Sequence, residues 1–179
     1  LAKGARSMGV EIIENTLVDD IIVEDDIAIG VRCNKKNIKG KKIILTGGLW
    51  SRDIAKKIGV NLPLYACEHY YVVTEAMSGL TPRPVMRDFD KGIYFKEDAG
   101  KMLIGWFEKN AIGCPMSKIS SDFSFDEFPV DMDHIEPYLM AAMETFPEIA
   151  ETGIRTFFNG PESFTNDNLH LMGPTPEIE

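Results

Sequence analysis

The amino-acid sequence predicts a mixed α/β chain of the α+β kind, and three features lead to that fold class. The opening is β-rich with a hairpin pattern, a Tyr- and Val-rich run covers Tyr65–Glu75, and one amphipathic helix pattern spans Asp131–Phe146. Period-two alternation marks the first two, and apolar residues three or four apart mark the third.

Taken in order, Leu1–Gly9 reads as the end of a helix, closed by a glycine that tolerates a left-handed turn. Val10–Glu14 is a short strand, and Thr16–Val23 with Ile27–Cys33 forms a hairpin turned by Asp25-Asp26. Asn34–Gly40 is polar and turn-like. Lys41–Thr46 carries Ile43, Ile44 and Leu45 as a continuous apolar run of the kind found in a strand buried on both faces, ended by Gly47-Gly48. Trp50, Ile54 and Ile58 then recur at i+4, and Gly59 closes that helix. From Leu62 the character changes. Tyr65–Glu75, Pro84–Arg87, Gly92–Lys96 and Lys101–Phe107 read as antiparallel strands, the last two joined at Ala99-Gly100. Asn110–Phe128 is irregular, with Phe123, Phe125 and Phe128 anchoring a loop. The helix opens with acidic residues and aligns Ile135, Leu139, Met143 and Phe146; Ile154–Asn159 returns as a strand before a polar loop that leads to another short strand at His170.

A length of 179 residues suits one domain or parts of two. With 44% hydrophobic and 26% charged residues, a packed core is expected. A net charge of −9 argues against nonspecific nucleic-acid binding, which needs clustered Lys and Arg. The three cysteines are scattered and odd in number, which argues against a disulfide framework or a zinc site and for a reducing, cytoplasmic setting. No apolar run reaches membrane-spanning length. The chain starts at Leu1 within a helix-like pattern and stops at Glu179 without a terminating signal, so it reads as an internal piece of a longer protein.

Ile43–Trp50 is a strand feeding a helix through two glycines. Bare backbone there admits a flat or phosphorylated ligand, and a tight turn needing positive φ explains the same pair. It is not a G-x-G-x-x-G. His69 lies in a strand pattern, sharing a face with Tyr71 and opposed by Glu68, Tyr70 and Val72. By itself it reads as a hydrogen-bonded core histidine or as a group poised to titrate near neutrality. Tyr94 is equally an aromatic packed across strands, with Phe95 on the other face. Three cations, Arg87, Lys96 and Arg155, have the chemistry to meet a carboxylate or to form ordinary ion pairs; Lys96 ranks first because it shares a strand face with Tyr94. His134 reads as a surface residue. The acids of Asp131–Glu136 suit the first turn of a helix better than a metal, so no metal site is expected.

Several long motifs carry a family resemblance. Glu68–Glu75, Pro84–Asp88, Ile93–Glu97, Gly105–Ala111 and Gly153–Thr165 are similar, in the same order, to stretches of the dimethylglycine/sarcosine dehydrogenase family. Those are FAD-dependent oxidoreductases of the glycine-oxidase and D-amino-acid-oxidase-like superfamily. The resemblance covers essentially the whole chain. It implies that 1–61 is part of a Rossmann-like FAD domain, 62–158 a substrate-binding antiparallel sheet domain, and 159–179 a return segment. It implies that His69 and Tyr94 face the flavin and a substrate amine, that Val18 lends backbone contacts to the adenine, and that Gly47, Gly48 and Trp50 border the flavin. Val18 also fits an ordinary core valine, and Trp50 a helix anchor. Chemically, the pair makes sense: a histidine can take the amine's proton, and a phenol can orient the substrate. The implied reaction is oxidative demethylation of dimethylglycine or sarcosine, with folate as a possible partner through a downstream domain. A eukaryotic version belongs in the mitochondrial matrix. The departures are the missing G-x-G-x-x-G, the missing flavin-linking histidine, Thr46-Gly47-Gly48 for Ala-Ala-Gly, and Asn166 for Pro. Weak flavin binding and inactivity are therefore expected of this stretch alone. Two rivals stand beside this reading: an amino-acid or amine oxidase with another substrate, and a non-catalytic regulatory relative of the same fold.

Overall fold

Hydrogen-bonded pairing divides the strands into two antiparallel sheets, one of three strands and one of five. The structure is a computed structural model; it describes residues 1–178 apart from Lys35, Ser121, Phe125 and Asp126. The chain separates into two units, Leu1–Leu64 with Thr165–Glu179, and Tyr65–Phe164.

In the first unit a short helix, α1 (Ala2–Ser7), ends at Gly9 with φ of 86°. Strands β1 (Val18–Glu24) and β2 (Ile27–Cys33) form the expected hairpin. Asp25 and Asp26 both take positive φ, 51° and 61°, the pattern of the tight turns that match strand twist. A third strand, β3 (Lys36–Lys39), pairs with β2 where only a turn was expected. Its four residues are all exposed, so no apolar alternation marks it. Gly30 on β2 makes the pairing possible, since a Cβ there would fall 2.4 Å from the Ile38 carbonyl oxygen. After a 3-10 turn at Gly48–Trp50, α2 (Ser51–Lys57) ends at Ile58, with Gly59 at φ 82°.

Three expected strands are absent, the one at His170 among them. Val10–Glu14 is irregular. Lys41–Thr46 pairs with no strand among the described residues, and Ile44 is 83% exposed, so the apolar run is not a strand buried on both faces. Such a strand needs neighbours on both edges and cover on both faces, and the β1–β3 sheet does not extend to it.

In the second unit the order is β5-β6-β7-β4-β8. The strands are β4 (Leu64–Thr74), β5 (Met86–Asp88), β6 (Ile93–Asp98), β7 (Lys101–Trp106) and β8 (Ile154–Thr165). Ala99 and Gly100, at φ 52° and 79°, turn the β6–β7 hairpin. The predicted helix is α3 (Met132–Thr145), capped by the Asp131 carboxylate, which accepts from the His134 backbone N–H. Its Ile135, Leu139 and Ala142 pack against the sheet side chains Tyr70, Val72, Ile93, Phe95, Ile104 and Trp106. One face of the sheet is thus committed to the core.

β8 runs through Gly160-Pro161 to Thr165. A polar loop was expected after Asn159, but β8 is an edge strand, where a proline's missing N–H costs nothing if it faces outward. His170 lies in no strand. His134 is not a free surface residue: its ring sits 5.3 Å from that of Tyr70, and its Nε2 is buried. Phe123 and Phe128 do pack, 5.6 Å apart, whereas Phe125 lies outside the described residues.

Candidate active site

Strand alternation presents a second set of side chains on the face away from α3. His69 and Tyr71 come from β4, Tyr94 from β6, Gly105 from β7 with Phe107 just beyond it, and Phe158, Gly160, Glu162 and Phe164 from β8. Gly105 is the register partner of Tyr71 on one side and Tyr94 on the other. The Tyr94 ring lies across it: a Cβ at position 105 would fall 2.1 Å from Tyr94 Cζ and 2.2 Å from its hydroxyl oxygen. Gly160 plays the same part for Phe158, whose ring would be 2.8 Å from an added Cβ. Phe158 stacks on Tyr71, with centroids 4.5 Å apart and 19° between planes. Two glycines therefore let aromatic rings lie low along this face.

Phe107 joins the two candidate residues. Its ring centroid lies 6.1 Å from His69 and 5.5 Å from Tyr94. The Phe164 ring, 6.3 Å from that of His69, forms a second aromatic wall. The imidazole sits between two carboxylates. Nδ1 is 3.4 Å from Glu108 Oε2, and Nε2 is 3.7 Å from Glu162 Oε2. The Glu108 side chain is only 3% exposed and Glu162 is open to solvent. The Glu108 contact is a charge pairing at the long edge of hydrogen-bond distance.

Charge sets the behaviour of both groups. Burial by itself would lower the His69 pKa, but Glu108 and Glu162 outweigh it, and the net direction is upward. The Tyr94 hydroxyl is pushed up, first by burial and then by Glu162 and Glu108, with Arg87 opposing. Tyr94 is therefore a donor throughout the neutral range. Behind the sheet, Asn159 Nδ2 donates to Glu68 Oε2 at 2.8 Å and to the Pro129 carbonyl at 2.9 Å, while the Tyr70 hydroxyl donates to the same Glu68 oxygen at 2.7 Å. This network ties β8 to β4.

The other predicted residues are placed as follows. Lys96 is exposed, two residues along β6 from Tyr94 and opposite Leu103. Arg155 pairs with Glu75 at 3.8 Å. Arg87 lies over the Phe107 ring at 4.5 Å. In the first unit, Val18 is half-buried at the start of β1 and pairs with Cys33. Gly47 has φ of −79°, Gly48 has φ of 55°, and Trp50 is 44% exposed. Gly105, Phe107, Glu108 and Glu162 went unmarked by the sequence as site residues. The one available signal was that the first three follow one another in a strand-ending Gly-Trp-Phe-Glu. No group of three or more metal-ligating side chains occurs among the described residues. No helix there is long and apolar enough to cross a membrane.

L-proline dehydrogenase from P. horikoshii shares the fold, with a TM-score of 0.80 at 20% identity over 99% of this chain and 45% of that one. The family model of the FAD dependent oxidoreductases (DAO) matches residues 1–179, and the chain belongs to that family. It is 37% identical over 99% of its length to 4-methylaminobutanoate oxidase (formaldehyde-forming) of Paenarthrobacter nicotinovorans, and 33% identical over 99% to human mitochondrial sarcosine dehydrogenase. The chain spans 22% and 20% of the lengths of those two relatives.

The Gly47-Gly48 turn fits the approach of such a cofactor. Gly48 holds a left-handed conformation, and nothing lies within 4 Å of where its Cβ would be, so bare backbone is open to a flat or phosphorylated group.

Proposed function

We propose that this chain supplies the substrate-side face of an FAD-dependent dehydrogenase that oxidatively demethylates an N-methylated glycine, dimethylglycine or sarcosine. One observation carries the reading: His69 and Tyr94, from different strands, sit on the same non-core face and share Phe107 as neighbour. Val18, Gly47, Gly48 and Trp50 are the residues of this chain that would hold FAD, which when bound accepts a hydride from the substrate.

The side chains do the remaining work. A methylated glycine reaches the site with its amine protonated, and hydride departs readily only from carbon beside a neutral amine. His69 takes that proton, and Glu108 and Glu162 stabilise the imidazolium that results. The Tyr94 hydroxyl, kept protonated by its surroundings, orients the substrate by donating a hydrogen bond. Phe107, Phe158 and Phe164 limit water around the reacting carbon. The products are the demethylated amine and a one-carbon unit.

Support comes from the relatives whose names specify a methylamino acid and sarcosine. The test is anaerobic flavin bleaching in the whole protein with dimethylglycine, sarcosine, glycine and proline. Faster bleaching by the methylated glycines is expected. Preference for glycine or proline would move the protein to another amino-acid oxidase class, and a preparation without flavin would favour a regulatory relative.

A further inference from the structure

We propose that Arg87, and not Lys96, is the specificity-determining residue that takes the substrate's carboxylate; this rests on the functional reading above. The three cations differ sharply in their surroundings. Arg155 is committed to Glu75 at 3.8 Å. Lys96 is exposed on β6, opposite Leu103 and nearer the hairpin turn than Tyr94 is. Arg87 stands in the row Arg87–Tyr94–Gly105–Tyr71 that crosses the sheet. Its guanidinium covers the same Phe107 ring that touches His69 and Tyr94, and a second ring, Phe89, lies 5.3 Å from it.

No carboxylate of the described residues pairs with Arg87, whereas Glu108 and Glu162 both stand against His69. Both of those acids serve His69. The face is therefore polarised: two carboxylates at the His69 end and, at the other, a guanidinium with no ion-pair partner among the described residues, with the Phe107 ring between them. A zwitterion with an amine at one end and a carboxylate at the other matches that polarity. A planar guanidinium placed over an aromatic ring can still offer its N–H fork to a bidentate carboxylate, which a flexible ammonium such as that of Lys96 cannot match. The class of substrate selected is an N-methylated amino acid and not a simple N-methylated amine.

The experiment compares two substrates in the whole flavin-loaded protein: N,N-dimethylglycine, and N,N-dimethylethylamine, which has no carboxylate. Wild type, R87M and R87K are followed by the limiting rate of anaerobic flavin bleaching and by calorimetric binding of each compound. In R87M, binding of dimethylglycine should weaken by roughly 10- to 100-fold, the scale of a lost charge-assisted hydrogen bond. Its limiting rate should hold, and the plain amine should be unaffected. R87K should recover part of the loss. Unchanged dimethylglycine binding in R87M, or equal loss of both compounds, would overturn the assignment while leaving the amine oxidation intact. Wild-type protein that no methylated amino acid reduces would overturn the functional reading and the assignment together.

Discussion

Gly105→Ala is a one-methyl perturbation whose consequence can be worked from the geometry. Gly105 is buried beneath the Tyr94 ring, and the added carbon would lie 2.1 Å from Cζ, 2.2 Å from the hydroxyl oxygen and 2.6 Å from Cε1. Non-bonded carbons settle at roughly 3.5–4.0 Å, so the ring must move by more than about 1 Å at its far end. The backbone is less able to yield, because Gly105 is paired on both sides. Two costs follow, and they differ in size. Overpacking costs about 1–3 kcal/mol of stability, and the half-exposed side of the ring gives it room to swing toward the lower figure. Displacing an orienting group by about 1 Å costs on the order of 100-fold in rate. The expected result is a whole protein that folds and binds flavin with a modestly lower Tm, and whose limiting rate of flavin bleaching by dimethylglycine falls about 100-fold, matching Tyr94→Phe. A variant that bleaches within threefold of wild type while Tyr94→Phe is impaired would refute the idea that the glycine exists to seat this ring.

Two further predictions use the carboxylates. Glu108 is the foremost influence raising the His69 pKa against burial, so Glu108→Gln should lower it below its present value and move the acid limb of the kcat/KM profile to lower pH. The raised value also means that the pair stabilises the fold below about pH 6.5 and that this contribution fades as pH rises through the folded pKa; in Glu108→Gln the corresponding slope of Tm against pH should flatten, and an unmoved acid limb would exclude Glu108 as the controlling charge. Asn159→Ala removes both donors that tie Glu68 and Pro129 together and should cost about 1–3 kcal/mol, read as a lower denaturant midpoint; an unchanged midpoint would show that the network does not hold β8.

What the sequence revealed was mostly local. The Asp25-Asp26 and Ala99-Gly100 turns, the β1–β2 and β6–β7 hairpins and α3 are each encoded within a short window by turn chemistry or periodicity. The facing of His69 and Tyr71 away from Tyr70 and Val72 followed from alternation, and the structure keeps it. The misses needed partners distant in the chain. β3 is four exposed residues whose only reason to be a strand is β2. Lys41–Thr46 has the composition of an inner strand but no strand alongside it among the described residues. The role of Gly105 depends on a tyrosine from β6, and that of Glu108 on a histidine 39 positions earlier, as the 3.4 Å contact shows. Arg87 ranked behind Lys96 because strand alternation shows which residues share a face but not which cation reaches a ring two strands away.

The proposal that His69 and Tyr94 act on a substrate amine is tested most directly by rapid-mixing flavin reduction in the whole protein with saturating dimethylglycine, comparing wild type, His69→Gln and Tyr94→Phe. Flavin content should be equal in all three, and the limiting rate should fall by roughly 100-fold or more in His69→Gln, with its pH dependence near neutrality lost. Equal rates and an unchanged pH profile in both variants would contradict it.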